Sequence, residues 1–182
     1  MNTRAVLICI LGVLLQPVLL LSFSLQEPAM RVNEVGVLVA SAGIRNTIPL
    51  EVVTAVDDGI RIEVRYQVRL HRYISFFLAV DPLIIEKEIK FYIHYDFIEN
   101  IYTVENDFLG KKRIFVHREE VWRYVQSVQN IALVDISSLQ AGRTYYLRVR
   151  LQMRSVRMYP PFSFLSILSY GTDWVRSREL KL

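Results

Sequence analysis

Residues 60–70 read Ile60-Arg61-Ile62-Glu63-Val64-Arg65-Tyr66-Gln67-Val68-Arg69-Leu70, with an apolar side chain at every even position and a polar one at every odd position. A period of two belongs to an extended strand, whose successive side chains point to opposite faces. One face is fit for burial and the other, rich in arginine, for water. The pattern returns twice. Ile89, Phe91, Ile93, Tyr95 and Phe97 alternate with Lys90, Tyr92, His94 and Asp96, and Tyr145, Leu147, Val149, Leu151 and Met153 are opposed by Tyr146, Arg148, Arg150 and Gln152. Three long amphipathic strands predict a β-rich fold, mainly antiparallel, arranged as a sheet or sandwich with one wet face and one or two short covering helices.

The flanking segments fill in around these strands. Residues 32–45 read as extended, with Val35, Val37 and Val39 facing one way. Asn46-Thr47 offers an N-cap for a short helix over 48–56, Pro49 suits an early helical turn, and Asp57-Asp58-Gly59 supplies a stop. The β-branched content of 48–53 leaves a continuing strand open as the alternative. Residues 102–104 and 113–116 form shorter strands around a turn containing Gly110. Val121, Tyr124, Val125 and Val128 recur at helical spacing, which predicts a second helix over 117–133.

The start of the chain has a different character. Arg4 precedes an apolar run over 5–21 and then Ser22-Phe23-Ser24, as in a bacterial export signal. Residues 1–24 are accordingly read as a signal peptide or a retained membrane anchor, with small residues at 22 and 24 favouring cleavage after Ser24. Either reading places residues 25–182, a single β-rich domain, outside the cytoplasm, in the periplasm. The 182 residues, 52% hydrophobic, form one sizeable core more readily than two. The only cysteine, Cys9, lies within the leader, so a processed domain has no thiol and no disulfide. The formal net charge of +4 suits an anionic membrane surface and falls short of a nucleic-acid-binding signature.

Most of the chain after the leader, roughly 32–180, resembles the family catalogued as domain of unknown function 4390, a bacterial group of exported or membrane-associated proteins. The resemblance rests on Ala55-Val56-Asp57-Asp58-Gly59-Ile60 before a long strand, on Tyr95 and Tyr102, and on Tyr145-Tyr146-Leu147-Arg148-Val149-Arg150. Pro160-Pro161 and Trp174-Val175-Arg176-Ser177 match the family's ending. It implies an exported-domain architecture and carries no catalytic residues with it.

The search for chemistry is mostly negative. His71, His94 and His117 have no zinc-motif spacing, Ser163, Ser166 and Ser169 lack a nucleophile-elbow setting, and no glycine-rich phosphate loop is present. Asp57-Asp58, Glu86/Glu88 and Glu119-Glu120 supply carboxylates without a shared cleft in the sequence. The chain is therefore expected to be a non-enzymatic envelope interaction module, without cofactor or metal, that binds another envelope protein. Two modes of binding are open: an unpaired strand edge, or the positive strand face of Arg61, Arg65 and Arg69 meeting an acidic patch. The alternative is a small-molecule or lipid carrier, with Tyr73, Phe76, Phe77, Phe162 and Phe164 lining one apolar opening.

Overall fold

The computed structural model describes residues 23–75, 80–156 and 169–182. The central strand is β3 (Ile62–Arg72), flanked by β4 (Leu83–Asp96) and β8 (Thr144–Ser155), both antiparallel to it along its whole length. Beyond β4 the sheet continues through β5 (Ile101–Asn106) and β6 (Lys111–Phe115). Beyond β8 it is closed by three short strands, β9 (Ser169–Gly171), β10 (Val175–Arg176) and β11 (Leu180–Lys181), giving eight strands in all. A second, three-stranded sheet of order β1 (Ala29–Val32), β2 (Val37–Gly43), β7 (Ser127–Asp135) completes the antiparallel architecture.

Alternate residues of β3 from 62 to 70 lie at the centre of the core: Ile62, Val64, Tyr66, Val68 and Leu70 are all fully buried. They join Ile89, Phe91 and Ile93 of β4 and Leu147, Val149, Leu151 and Met153 of β8 in a cluster with Leu38, Ala40, Ile131 and Leu133 of the small sheet. Two short helices also contribute to it. α1 (Leu50–Asp57) inserts Val52, Ala55 and Val56, and α2 (Arg118–Val125) inserts Val121 and Val125. Tyr66, buried to its tip, donates its hydroxyl to the Val125 carbonyl at 2.8 Å and so ties the central strand to the end of α2. Its hydroxyl is held far above the ordinary phenol range by desolvation.

Five expectations need correction. The first helix starts later than 48, and Pro49 rather than Thr47 is its N-cap, with no side-chain cap bond. A residue preceding proline is biased away from helical angles, so Ile48 stays outside. Val35 does not face the way of Val37 and Val39 in a strand: it lies 78% exposed in the turn between β1 and β2, where Gly36 has φ 79°. The helix expected over 117–133 ends at Val125, and β7 follows. Between Ala40/Ile131 and Ala42/Val128 the β2–β7 register slips by one residue, and Asn130 takes φ 55° there. That bulge brings Val128 and Ile131, three apart, to the same inner side, and so imitates a helical repeat. Phe97, expected inward on the second strand, lies past the end of β4 and is 63% exposed, because the turn into β5, with Asn100 at φ 56°, begins there. Finally, the face expected to be wet is half-covered, with Glu63 and Gln67 only 4% and 6% exposed.

The export or anchor segment falls, through residue 22, outside the described residues, as do Phe76, Phe77, Phe162 and Phe164. Phe23 and Leu25, by contrast, are buried in the core, and the Ser24 carbonyl accepts the Arg45 amide at 2.8 Å. Among the described residues no helix is long and apolar enough to cross a membrane.

Candidate functional site

Register sets what stands beside each arginine on the outer face of the large sheet. Arg61, Arg65 and Arg69 share that face, four residues or about 13 Å apart. Each already meets a carboxylate. Arg61 pairs with Glu105 at 2.5 Å and lies over the Tyr92 ring, Arg65 pairs with Glu63 at 2.7 Å, and Arg69 pairs with Glu86 at 3.1 Å. Glu63 is held from its other side by Arg154 at 3.0 Å, and Gln67 donates to Glu88 while accepting from Arg150. The amide hydrogen from Gln67 is the main reason the Glu88 carboxyl sits below its ordinary range, against desolvation, with Lys90 and Arg65 adding to it.

Positive charge gathers one strand further on. Arg148 of β8 lies directly opposite Arg69 of β3 and, on its other side, directly opposite Arg176 of β10. The row therefore reads Arg176, Arg148, Arg69, Glu86 across four strands. Trp174 precedes β10, and its ring centre is 4.5 Å from the Arg69 guanidinium, 4.7 Å from that of Arg150 and 5.8 Å from that of Arg148. Only Arg69 and Arg176 of these four arginines have an ion-paired carboxylate among the described residues, Glu86 and Glu179.

An aromatic cluster adjoins the row. Arg176 stacks over Tyr146 at 3.7 Å and lies 5.6 Å from the ring of Tyr73, which is 40% exposed. Tyr146 donates its hydroxyl to Asp81 at 2.7 Å and stacks on His71. Desolvation pushes the Asp81 carboxyl up, but hydrogen bonds from Tyr146 and the Ile74 amide, with Arg176 and His71 nearby, outweigh it and leave the group below its ordinary range. The Tyr146 hydroxyl is correspondingly pushed up to about 12 by desolvation and by its bond to Asp81. Tyr73 is the one described member of the five residues expected to line an apolar opening. The described flanks of the two aromatic stretches leave from opposite ends of β3, since Tyr73 bonds to Thr144 and Val156 to Arg61, about 33 Å apart at the strand rise.

A second feature lies on the inner side, where β7 is the edge of the small sheet and has β2 as its single strand neighbour among the described residues. Beside that edge is a cleft of about 190 Å³ walled by Ile89 and Phe91 of β4, Phe108 and Leu109 of the β5–β6 turn, and Val128 and Ile131 of β7. Phe108 and Leu109 are 43% and 53% exposed. Lys87 shares the inner face of β4, opposite Val68, and Lys111 lies opposite Asn106, a cleft residue. Neither lysine has an ion-paired carboxylate among the described residues. The volume is below the ~300–1,000 Å³ of small-molecule sites.

The remaining polar candidates are dispersed. Asp57 binds Arg118 and the Tyr102 hydroxyl, which desolvation and that bond push up to about 12. Asp96 accepts the Ile98 and Glu99 amides in a turn, and Glu119 and Glu120 occupy the first turn of α2. Among the described residues no three His, Cys, Asp or Glu side chains gather as metal ligands. Sequence reasoning placed Arg61, Arg65 and Arg69 on one face but missed Trp174, Phe108, Leu109 and the exposed edge of β7. Arg148 and Arg150 were visible as the polar set of β8, though not as neighbours of Arg69.

No curated protein and no solved structure matches the chain. The family model described as Domain of unknown function (DUF4390) matches residues 22–176, most of the length, and the chain belongs to that family.

Proposed function

We propose that this chain is a non-enzymatic, extracytoplasmic protein-binding module that takes an extended segment of an envelope partner along the open edge of β7. The observation that carries the reading is the coincidence of a strand edge left unpaired among the described residues with an apolar cleft beside it. An added strand gains main-chain hydrogen bonds from the edge and specificity from a side-chain pocket. Of the other outer edges, β6 begins Lys111-Lys112-Arg113, β1 carries Arg31, β10 Arg176 and β11 Lys181, whereas β7 has no charged residue before Asp135. Two register slips, one at Asn130 and one between Ala132 and Val134, divide β7 into short lengths, so an added strand pairs with it over a few residues at a time. Lys87, two residues along β4 from the cleft residue Ile89, and Lys111, paired across strands with the cleft residue Asn106, favour a partner with an apolar residue flanked by acidic ones.

Peptide display against the full chain in a neutral detergent tests this. Selected peptides are expected to alternate apolar and polar residues, to carry acidic flanks, and to lose about tenfold or more in affinity to L109D. Peptides that bind L109D as tightly as the parent chain would exclude the β7 edge as the binding surface.

A further inference from the structure

We propose that the arginine row Arg176, Arg148, Arg69, with Arg150 and Trp174, is a binding site for a phosphoryl group. It lies on the outer face of the large sheet and stands independently of the β7 edge. Like charges directly opposite one another across strands are destabilising, yet the register puts Arg148 opposite arginine on both sides. The usual remedy, alternating acid and base across the sheet, is present elsewhere on the same face, where Glu63 lies opposite Arg154. Along this row it is present only at the far end, at Glu86.

The fold also spends a bulge on this row. Between Gly171, opposite Gln152, and Val175, opposite Val149, the C-terminal segment has one residue more than β8. The irregularity brings Trp174 against three guanidiniums. Stacking engages the flat faces of the guanidiniums and leaves their N–H edges available to an anion. Among the described residues Arg148 has no hydrogen-bonded or ion-paired acceptor, Arg150 has the neutral Gln67, and the Arg69 Nε is buried with no hydrogen-bond partner.

The chemistry of the ligand follows from the number of donors. One guanidinium fork satisfies a carboxylate with its two oxygens. Arginines on adjacent strands, about 4.8 Å apart, present two or three forks to one locus, which suits the several oxygens and double charge of a phosphate monoester or diphosphate. The same group is offered by a free phosphate compound or by an acidic lipid headgroup.

The test uses the full chain in neutral detergent with Trp122→Phe, so that Trp174 is the fluorescent reporter. Inorganic pyrophosphate is titrated in one arm and phosphatidic acid, doped into the micelles, in the other. A saturable change in Trp174 emission is expected. Response to pyrophosphate assigns a soluble ligand, and response to phosphatidic acid alone assigns a lipid headgroup. R148Q/R150Q is expected to weaken the response about tenfold or more, and R148K/R150K, which keeps the charge without the fork, to fall between. R61Q, on the same face at the far end, leaves it unchanged. The arginine Nε–Hε resonances of the unsubstituted chain provide a readout that needs no variant, with shifts expected at Arg69, Arg148 and Arg150. No saturable response in either arm, undiminished binding by a folded R148Q/R150Q, or an equal loss in R61Q would overturn the assignment.

Discussion

Tyr66 shows how much one side chain contributes to this fold. Its ring fills the core under α2 and its hydroxyl meets the Val125 carbonyl at the helix end. Tyr66→Phe keeps the ring and removes the bond, so it is expected to cost about 1 kcal/mol, read as a lower urea midpoint with an unchanged slope. Phe23→Ala removes a buried ring at the start of the described chain and is expected to cost roughly 3 kcal/mol by the same measurement. A chain cut after Ser24 is expected to lose at least as much, because it also lacks the Ser24 carbonyl that holds Arg45. The burial of Tyr66 was legible from alternation alone. The neutralisation of Arg61, Arg65 and Arg69 was not, because Glu105, Glu63 and Glu86 reach them through strand register and side-chain reach, which no single segment encodes.

At the level of elements, alternation identified β3, β8 and the 89–96 part of β4, where one face is buried at every second residue, but it missed the first six residues of β4, whose Leu83 and Ile84 are exposed. It failed at β7, where the bulge converts a two-residue repeat into a three-residue one and the preceding α2 extends the false helical pattern. Asn130 enables that bulge, with φ 55° and a side chain that accepts Arg31 at 2.8 Å. Asn130→Ala is expected to cost about 1–2 kcal/mol, because alanine resists the left-handed region. Asn130→Gly loses the Arg31 bond but keeps the backbone freedom, so it is expected to cost less. Thermal unfolding of the two variants side by side checks the order, and a larger loss in the glycine variant would reject a backbone role for Asn130. The edge of β7 was invisible in sequence for a related reason: the residues reveal that a segment is extended but not which strands it lacks as neighbours.

Over the whole molecule, the connection after β3, the start of β8 and the C-terminal segment are joined through Asp81, Tyr146 and Arg176. The Asp81 carboxyl is lower in the folded chain than its ordinary value of 3.8, so its stabilisation is present above that value and is lost as pH falls from there through the lower folded-state value. Asp81→Asn is therefore expected to lower the unfolding temperature near pH 7, with the gap to the parent chain closing as pH falls below about 4. A gap that stayed constant across this range would place the effect in packing rather than in the charge. The two proposed surfaces lie on opposite sides of the large sheet, so either can be blocked while the other is left intact. The central claim, that β7 accepts a partner strand, is tested most directly by amide hydrogen exchange of the full chain with and without a selected acidic-flanked peptide. The account predicts slowed exchange within β7, residues 127–135, together with shifted Phe108 and Leu109 resonances. Protection confined to other strands, or absent at saturating peptide, would contradict it.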